Sequence, residues 1–109
     1  MYSSNKIFLQ KILHFQSSYK KKISRKRIQQ IRSCYKELNL FCQENKLQCG
    51  VRCSRNSISI RIQGALLLIS DEIPKMQWLF QNANLMEFNS SQGMIQIELW
   101  FRCWNLDLL

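Results

Sequence analysis

The sequence predicts an α+β domain, an antiparallel sheet with helices packed on one face. Three observations carry that expectation. Apolar residues recur at helical steps up to residue 47, the period changes to two after Gln48, and short turn signals separate the alternating runs. A chain of 109 residues is about one domain, and a composition 46% hydrophobic and 11% aromatic is enough for a core. One proline and three glycines leave little room for a long flexible linker.

Residues 5–16 read as a short amphipathic helix, with Phe8, Ile12, Phe15 and Tyr19 at helical spacing. Ser17 to Lys22 reads as a polar connection. Residues 24–47 give the clearest helix. Ser24 is a natural N-cap, and Ile28, Ile31, Tyr35, Leu38 and Cys42 follow at steps of 3, 4, 3 and 4. Cys34 and Phe41 widen that stripe.

Gly50 to Ser54 is then a candidate strand and Arg55-Asn56 a turn. Ser57 to Ile62 alternates strictly, with the isoleucines inward. Gln63-Gly64 reads as the next turn. The apolar run Ala65 to Ile69 reads as a central strand that completes a three-stranded meander. A helix is expected from Ser70-Asp71-Glu72 to about Asn82–Asn84, with Pro74 in its first turn. Leu85 to Phe88 reads as a short strand, Asn89 to Gly93 as a turn cluster, and Met94 to Phe101 as a good strand. The tail from Arg102 to Leu109 is apolar and expected to pack. The order is α-α-β-β-β-α-β-β, hairpin-connected and hence antiparallel. It divides into a basic N-terminal segment, residues 1–23, and an α+β domain, residues 24–109.

Charge is the most uneven property. The net charge is +9, yet residues 1–36 hold ten Lys and Arg and no acid, while residues 37–109 hold seven acids and six bases. The first third is a polycation and the remainder is near neutral. That asymmetry points to a polyanionic partner. The densest part, Lys20-Lys21-Lys22-Ile23-Ser24-Arg25-Lys26-Arg27, surrounds a helix start. Cations are unfavourable at that end of a helix dipole, so local stability is given up there.

Other chemistry is weakly signalled. The five cysteines, Cys34, Cys42, Cys49, Cys53 and Cys103, are odd in number and follow no secretory signal, so free thiols in a reducing compartment are expected. Cys49 and Cys53 lie roughly 13 Å apart along a strand, too far to share one metal. His14 has no acid near it in sequence to orient it. Asp71, Glu72, Glu87, Glu98 and Asp107 offer no recognisable carboxylate pair, and no Gly-rich phosphate loop occurs. The longest apolar run, Ala65 to Ile69, has five residues, far short of a membrane span.

The expectation is therefore a small nucleic-acid-associated binding protein, RNA ahead of DNA, without catalysis, cofactor or metal. Lys20, Lys21, Lys22, Arg25, Lys26, Arg27 and Arg32 are the expected phosphate contacts. Sequence specificity should be low, because phosphate contacts carry no base information. Two alternatives stand beside it. One is a protein-interaction module: an adaptor, a chaperone, an assembly subunit or a homodimer. Trp78, Trp100 and Trp104 would contribute to its interface. The other is a peripheral protein of an anionic membrane, its first helix lying in the interface. A cytoplasmic, reducing location is expected, with an organelle also open.

Overall fold

The computed structural model describes residues 2–54, 56–65 and 81–104, with side chains from residue 6 onward. Two helices come first, α1 (Tyr2–Tyr19) and α2 (Arg25–Glu44). Four strands follow: β1 (Gln48–Ser54), β2 (Ser57–Ala65), β3 (Leu85–Ser91) and β4 (Met94–Arg102). They form one antiparallel sheet in the order β1-β2-β4-β3. The α+β class is as the sequence predicts, and both helices contact the sheet.

Alternation dictates which face is covered. Ile58, Ile60 and Ile62 of β2 and Ile95, Ile97, Leu99 and Phe101 of β4 all turn inward and are buried. Helix α2 covers them with Ile31, Cys34, Tyr35, Leu38 and Cys42, while Ile28 and Phe41 sit half-buried at the margins. Helix α1 is longer than its periodicity suggests, and its Phe8, Ile12 and Phe15 enter the same core. Phe8 stacks on Tyr35 with ring centroids 5.0 Å apart. This contact joins the two helices over the sheet.

Strand β2 departs from the sequence reading. It does not turn at Gln63-Gly64 but runs on to Ala65, paired with β4 from Ser57↔Arg102 to Ala65↔Met94. Its other edge pairs with β1. Both hydrogen-bonding edges of β2 are thus taken, and the neighbour position that a meander would assign to Ala65–Ile69 belongs to β4. Gly64 is a close-approach glycine rather than a turn glycine. A Cβ there would lie 2.1 Å from Leu47 Cδ2, so the Leu47 side chain fills the space a larger residue would need. Leu66 to Ile69 and the expected helix from Ser70 up to Phe80 lie outside the described residues, as does Trp78.

The second hairpin is tighter than its turn cluster implies. β3 continues through Asn89, Ser90 and Ser91, and only Gln92 and Gly93 make the turn, with φ of 52° and 78°. Two successive positive φ values define a type I′ hairpin, whose twist matches the flanking strands.

Ile60 is fully buried in a strand flanked on both sides. Ile60→Ala should destabilise by about 2–5 kcal/mol, the range for buried aliphatic truncation. Urea unfolding measures it, and a change below about 0.5 kcal/mol would contradict the central placement of β2.

Candidate nucleic-acid interface

The basic segment is built as a pinned corner between two helices. α1 ends in a tight C-terminal motif, in which the Lys20 amide donates to Ser17 O at 3.3 Å and the Lys21 amide to Gln16 O at 3.2 Å. That pattern requires a left-handed residue, and Lys20 supplies it with φ 53°. Glycine is the favoured residue there, and a lysine is held at some conformational cost. The Gln16 side-chain oxygen accepts from the Ile23 amide at 2.7 Å, and Ile23 is buried. The indole Nε1 of Trp104 donates to Lys22 O at 3.0 Å. Ser24 caps α2 as expected, accepting from the Arg27 amide at 3.2 Å.

The structure sorts the seven candidate cations into five exposed, one half-buried and one buried. Lys20, Lys21, Lys22, Arg25 and Lys26 are exposed around the corner. Lys21 rests over the Trp104 ring, 5.8 Å from its centroid. Among the described residues the side chains of Lys20, Lys22, Arg25 and Lys26 have no partner. Arg32 is half-buried and already engaged. Arg27 does not belong to this surface at all. It is 5% exposed, and its guanidinium is consumed inside the fold. Nε donates to Arg102 O at 2.6 Å, and Nη1 to Gln30 Oε1 and Asn82 O, both at 3.0 Å. Nη2 donates to Asn84 Oδ1, and the guanidinium lies over Phe101 at 5.5 Å. Burial lowers its pKa from the ordinary arginine value.

A signal for this was present in the sequence. Arg27 precedes Ile31 by four residues and therefore continues the buried stripe of α2 by one turn. Sequence reasoning also missed the role of Trp104, which closes the corner and makes an aromatic cluster with Phe15 and Tyr19. Its centroid lies 5.2 Å from that of Phe15 and 5.6 Å from that of Tyr19.

The other candidate chemistry has structural partners. Glu87 and Glu98 are opposite each other on β3 and β4. Glu98 is buried, accepts from Ser59 Oγ at 2.7 Å and pairs with Arg52 at 3.1 Å. Glu87 accepts from Trp100 Nε1 at 2.7 Å. Two carboxylates thus lie side by side, each held by its own donors. His14 is exposed on α1. Among the described residues, no group of three or more His, Cys, Asp or Glu is arranged to hold a metal. All five cysteines are free thiols. Burial pushes Cys34 up to about 12, and it pushes Cys103 up to about 12 despite the nearby Arg27. Cys49 is raised by its hydrogen bond with Cys42 and then by burial. No described helix is long and apolar enough to cross a membrane.

Comparison of the chain with protein-family models, with curated proteins and with solved structures gives no match.

Two predictions follow from this sorting of side chains. Arg27→Ala should destabilise by about 3 kcal/mol or more, because it strands several buried acceptors of a charged donor. Lys26→Ala, one residue away, should stay within about 0.5 kcal/mol. Equal effects in urea unfolding would contradict the separation of Arg27 from its neighbours. The second prediction concerns alkaline pH. Cys34 and Cys103 titrate well above the unfolded value of about 8.5. The unfolded chain then loses its thiol protons first, so stability present below pH ~8.5 declines as pH rises toward 12. Each thiol contributes a slope of about 1.4 kcal/mol per pH unit within that window. Unfolding under reducing conditions between pH 8 and 10.5 should show a flatter decline for Cys34→Ala/Cys103→Ala than for the wild type. Parallel profiles would mean that the two thiols titrate near their ordinary value.

Proposed function

We propose that this chain is a small nucleic-acid-associated binding protein that grips phosphates without catalysis, RNA ahead of DNA, and with low sequence specificity. One observation carries the reading. The cations of the first third divide into those with a structural task and those without. Lys11 donates to Val51 O at 2.6 Å, and Arg27 ties α2 to β4. Among the described residues Lys6, Lys20, Lys22, Arg25, Lys26 and Lys36 have no such task, and four of these six fall within residues 20–26, where Lys21 also lies, on Trp104. Like charges gathered on a rigid corner repel one another unless an anion relieves them. A lysine in a left-handed position adds to that cost. Both costs are understandable if the corner serves a polyanion. A low-specificity, electrostatic grip is the chemistry such a surface offers. The five free thiols suit a reducing, cytoplasm-like compartment, an organelle included.

The membrane alternative is weakened by one observation. Phe8, Ile12 and Phe15, the apolar stripe expected to enter lipid, are already in the core, which leaves only Ile7, Leu13 and Tyr19 of α1 exposed as large apolar side chains among the described residues. The protein-interaction alternative has an observation in its favour. β3 is an edge strand, and Leu85, Met86 and Phe88 on it are exposed. Among the described residues its outer edge has no partner strand, and such an edge with apolar side chains is a ready surface for another chain. Concentration-dependent association by light scattering, abolished by Phe88→Lys, would favour that second reading.

Salt titration of binding tests the leading reading. The wild type should bind RNA and DNA at low salt, with log K falling linearly in log salt. Replacing four cations as Lys20→Gly, Lys21→Ala, Lys22→Ala and Arg25→Ala should leave the fold intact. It should make the slope on a single strand shallower by about 3, at about 0.7 per phosphate. No nucleic-acid binding at low salt, or sedimentation with anionic vesicles in its place, would sink the proposal. Binding with an unchanged slope in the variant would move the site elsewhere.

A further inference from the structure

A groove runs between α1 and β1, with a volume of about 650 Å³, and it ends at the basic corner. Phe15, Val51 and Cys53 give it an apolar floor, and His14, Ser18 and Tyr19 line its wall toward Lys20. Lys11 and Arg52 line it as well, and among the described residues no Asp or Glu does. Tyr19 is the exposed member of the aromatic cluster, 46% accessible, with its ring edge-on to Phe15 and tilted against Trp104. An exposed ring backed by two others loses little freedom when something stacks on it. It is also the residue immediately before Lys20-Lys21-Lys22. An aromatic platform at the mouth of a groove with no acid among its described lining residues therefore adjoins three exposed lysines, of which Lys21 rests over Trp104.

We propose that the interface takes single-stranded nucleic acid, with an unstacked base on Tyr19 at the mouth of the α1–β1 groove and the flanking phosphates on Lys20, Lys21 and Lys22. This deepens the phosphate-binding reading and rests on it. The reason for a single strand is geometric. Bases in a duplex stack on one another and present only their edges, so a side-chain ring cannot reach their faces. A single strand offers free faces, and stacking on an aromatic ring is tolerant of sequence. The combination of a ring, a groove and adjacent lysines is the arrangement that such strands need. The sugar is not selected by these contacts, so RNA and DNA strands should both bind.

Fluorescence anisotropy with labelled 12-nucleotide RNA and DNA, single-stranded and as the matching duplex, tests this. The wild type should bind the single strands more tightly than the duplexes at the same salt. Tyr19→Ala should weaken single-strand binding about 5- to 150-fold, the range for one lost stacked base. It should leave the salt slope and duplex affinity unchanged, because no phosphate contact is removed. Tyr19→Phe should retain wild-type affinity, since the ring remains. An independent probe avoids any folding defect in the variants: a strand with abasic residues keeps the phosphates and lacks the faces. The wild type should bind it as weakly as Tyr19→Ala binds the ordinary strand. Equal affinity for duplex and single strand, or for abasic and ordinary strand, would overturn the inference while leaving the phosphate reading standing. Absence of binding to every probe at low salt would instead overturn the phosphate reading itself.

Discussion

The buried guanidinium of Arg27 is the constraint on which the rest of the arrangement depends. One side chain on the first turn of α2 reaches the Arg102 carbonyl at the end of β4 and the Asn82 carbonyl and Asn84 side chain ahead of β3. Asn84 in turn accepts from the Arg102 amide at 2.8 Å and donates its own amide to Trp100 O at 2.8 Å. A helix start, a strand end and a strand entry are thereby locked together. Several donors in a fixed fork meet several acceptors, a task for which a lysine has the wrong geometry. The described partners are all uncharged, so the positive charge is held by two backbone carbonyl oxygens, the side-chain amide oxygens of Gln30 and Asn84 and the face of Phe101. Such an arrangement tolerates little displacement, because each acceptor left alone in the interior is costly.

This clasp sets the position of the corner that precedes it. The chain enters α2 at Ser24, three residues before Arg27, and leaves α1 at Tyr19. Residues 20–24 are therefore suspended between α1, held by Phe8, Ile12 and Phe15 in the core, and α2, held by Arg27. Buried Ile23 and the Trp104 indole complete the restraint from below. A flexible tail of lysines could follow any polyanion. A restrained corner presents its cations at fixed spacing, and less conformational freedom is lost when they are engaged.

Much of the fold was legible because it follows from period. α2 and β4 carry unambiguous steps of 3.6 and 2, and the residues assigned to their inner faces are buried apart from Ile28 and Phe41, which are half-buried. Period cannot report which strand pairs with which. The apolar run after Gly64 looked like a third consecutive strand, and nothing local indicates that β4 fills that place from 30 residues further on. Gly64 itself resembles a turn signal, since the Leu47 side chain that requires it arrives from another element. The candidate site shows the same limit more sharply. Lys20, Lys21, Lys22, Arg25 and Lys26 were visible as charge, and the structure leaves them exposed. Arg27 was grouped with them because charge type outweighed its position on the helical stripe. Tyr19 and Trp104 were visible only as aromatics, because their contact joins residues 85 positions apart.

The distribution of acids completes the physical picture. Glu98 is buried beneath Arg52, within 3.9 Å of Arg61, and accepts from Ser59. Glu87 is taken by Trp100. Glu98 offsets the charge of Arg52 and Arg61 on the sheet's outer face, where Arg52 also lies over Trp100 at 5.7 Å. Neither carboxylate relieves the corner at residues 20–26. Among the described residues, charge is therefore compensated locally where the sheet is assembled, and no carboxylate pairs with the cations where two helices meet. Mixed signs on one small domain would be enough for solubility. A single-sign patch, rigidly mounted and beside an exposed aromatic ring, raises the local potential and holds its field in one direction. The separation between compensated and uncompensated charge among the described residues, rather than the total of +9, is what the proposed polyanion contact at this corner rests on.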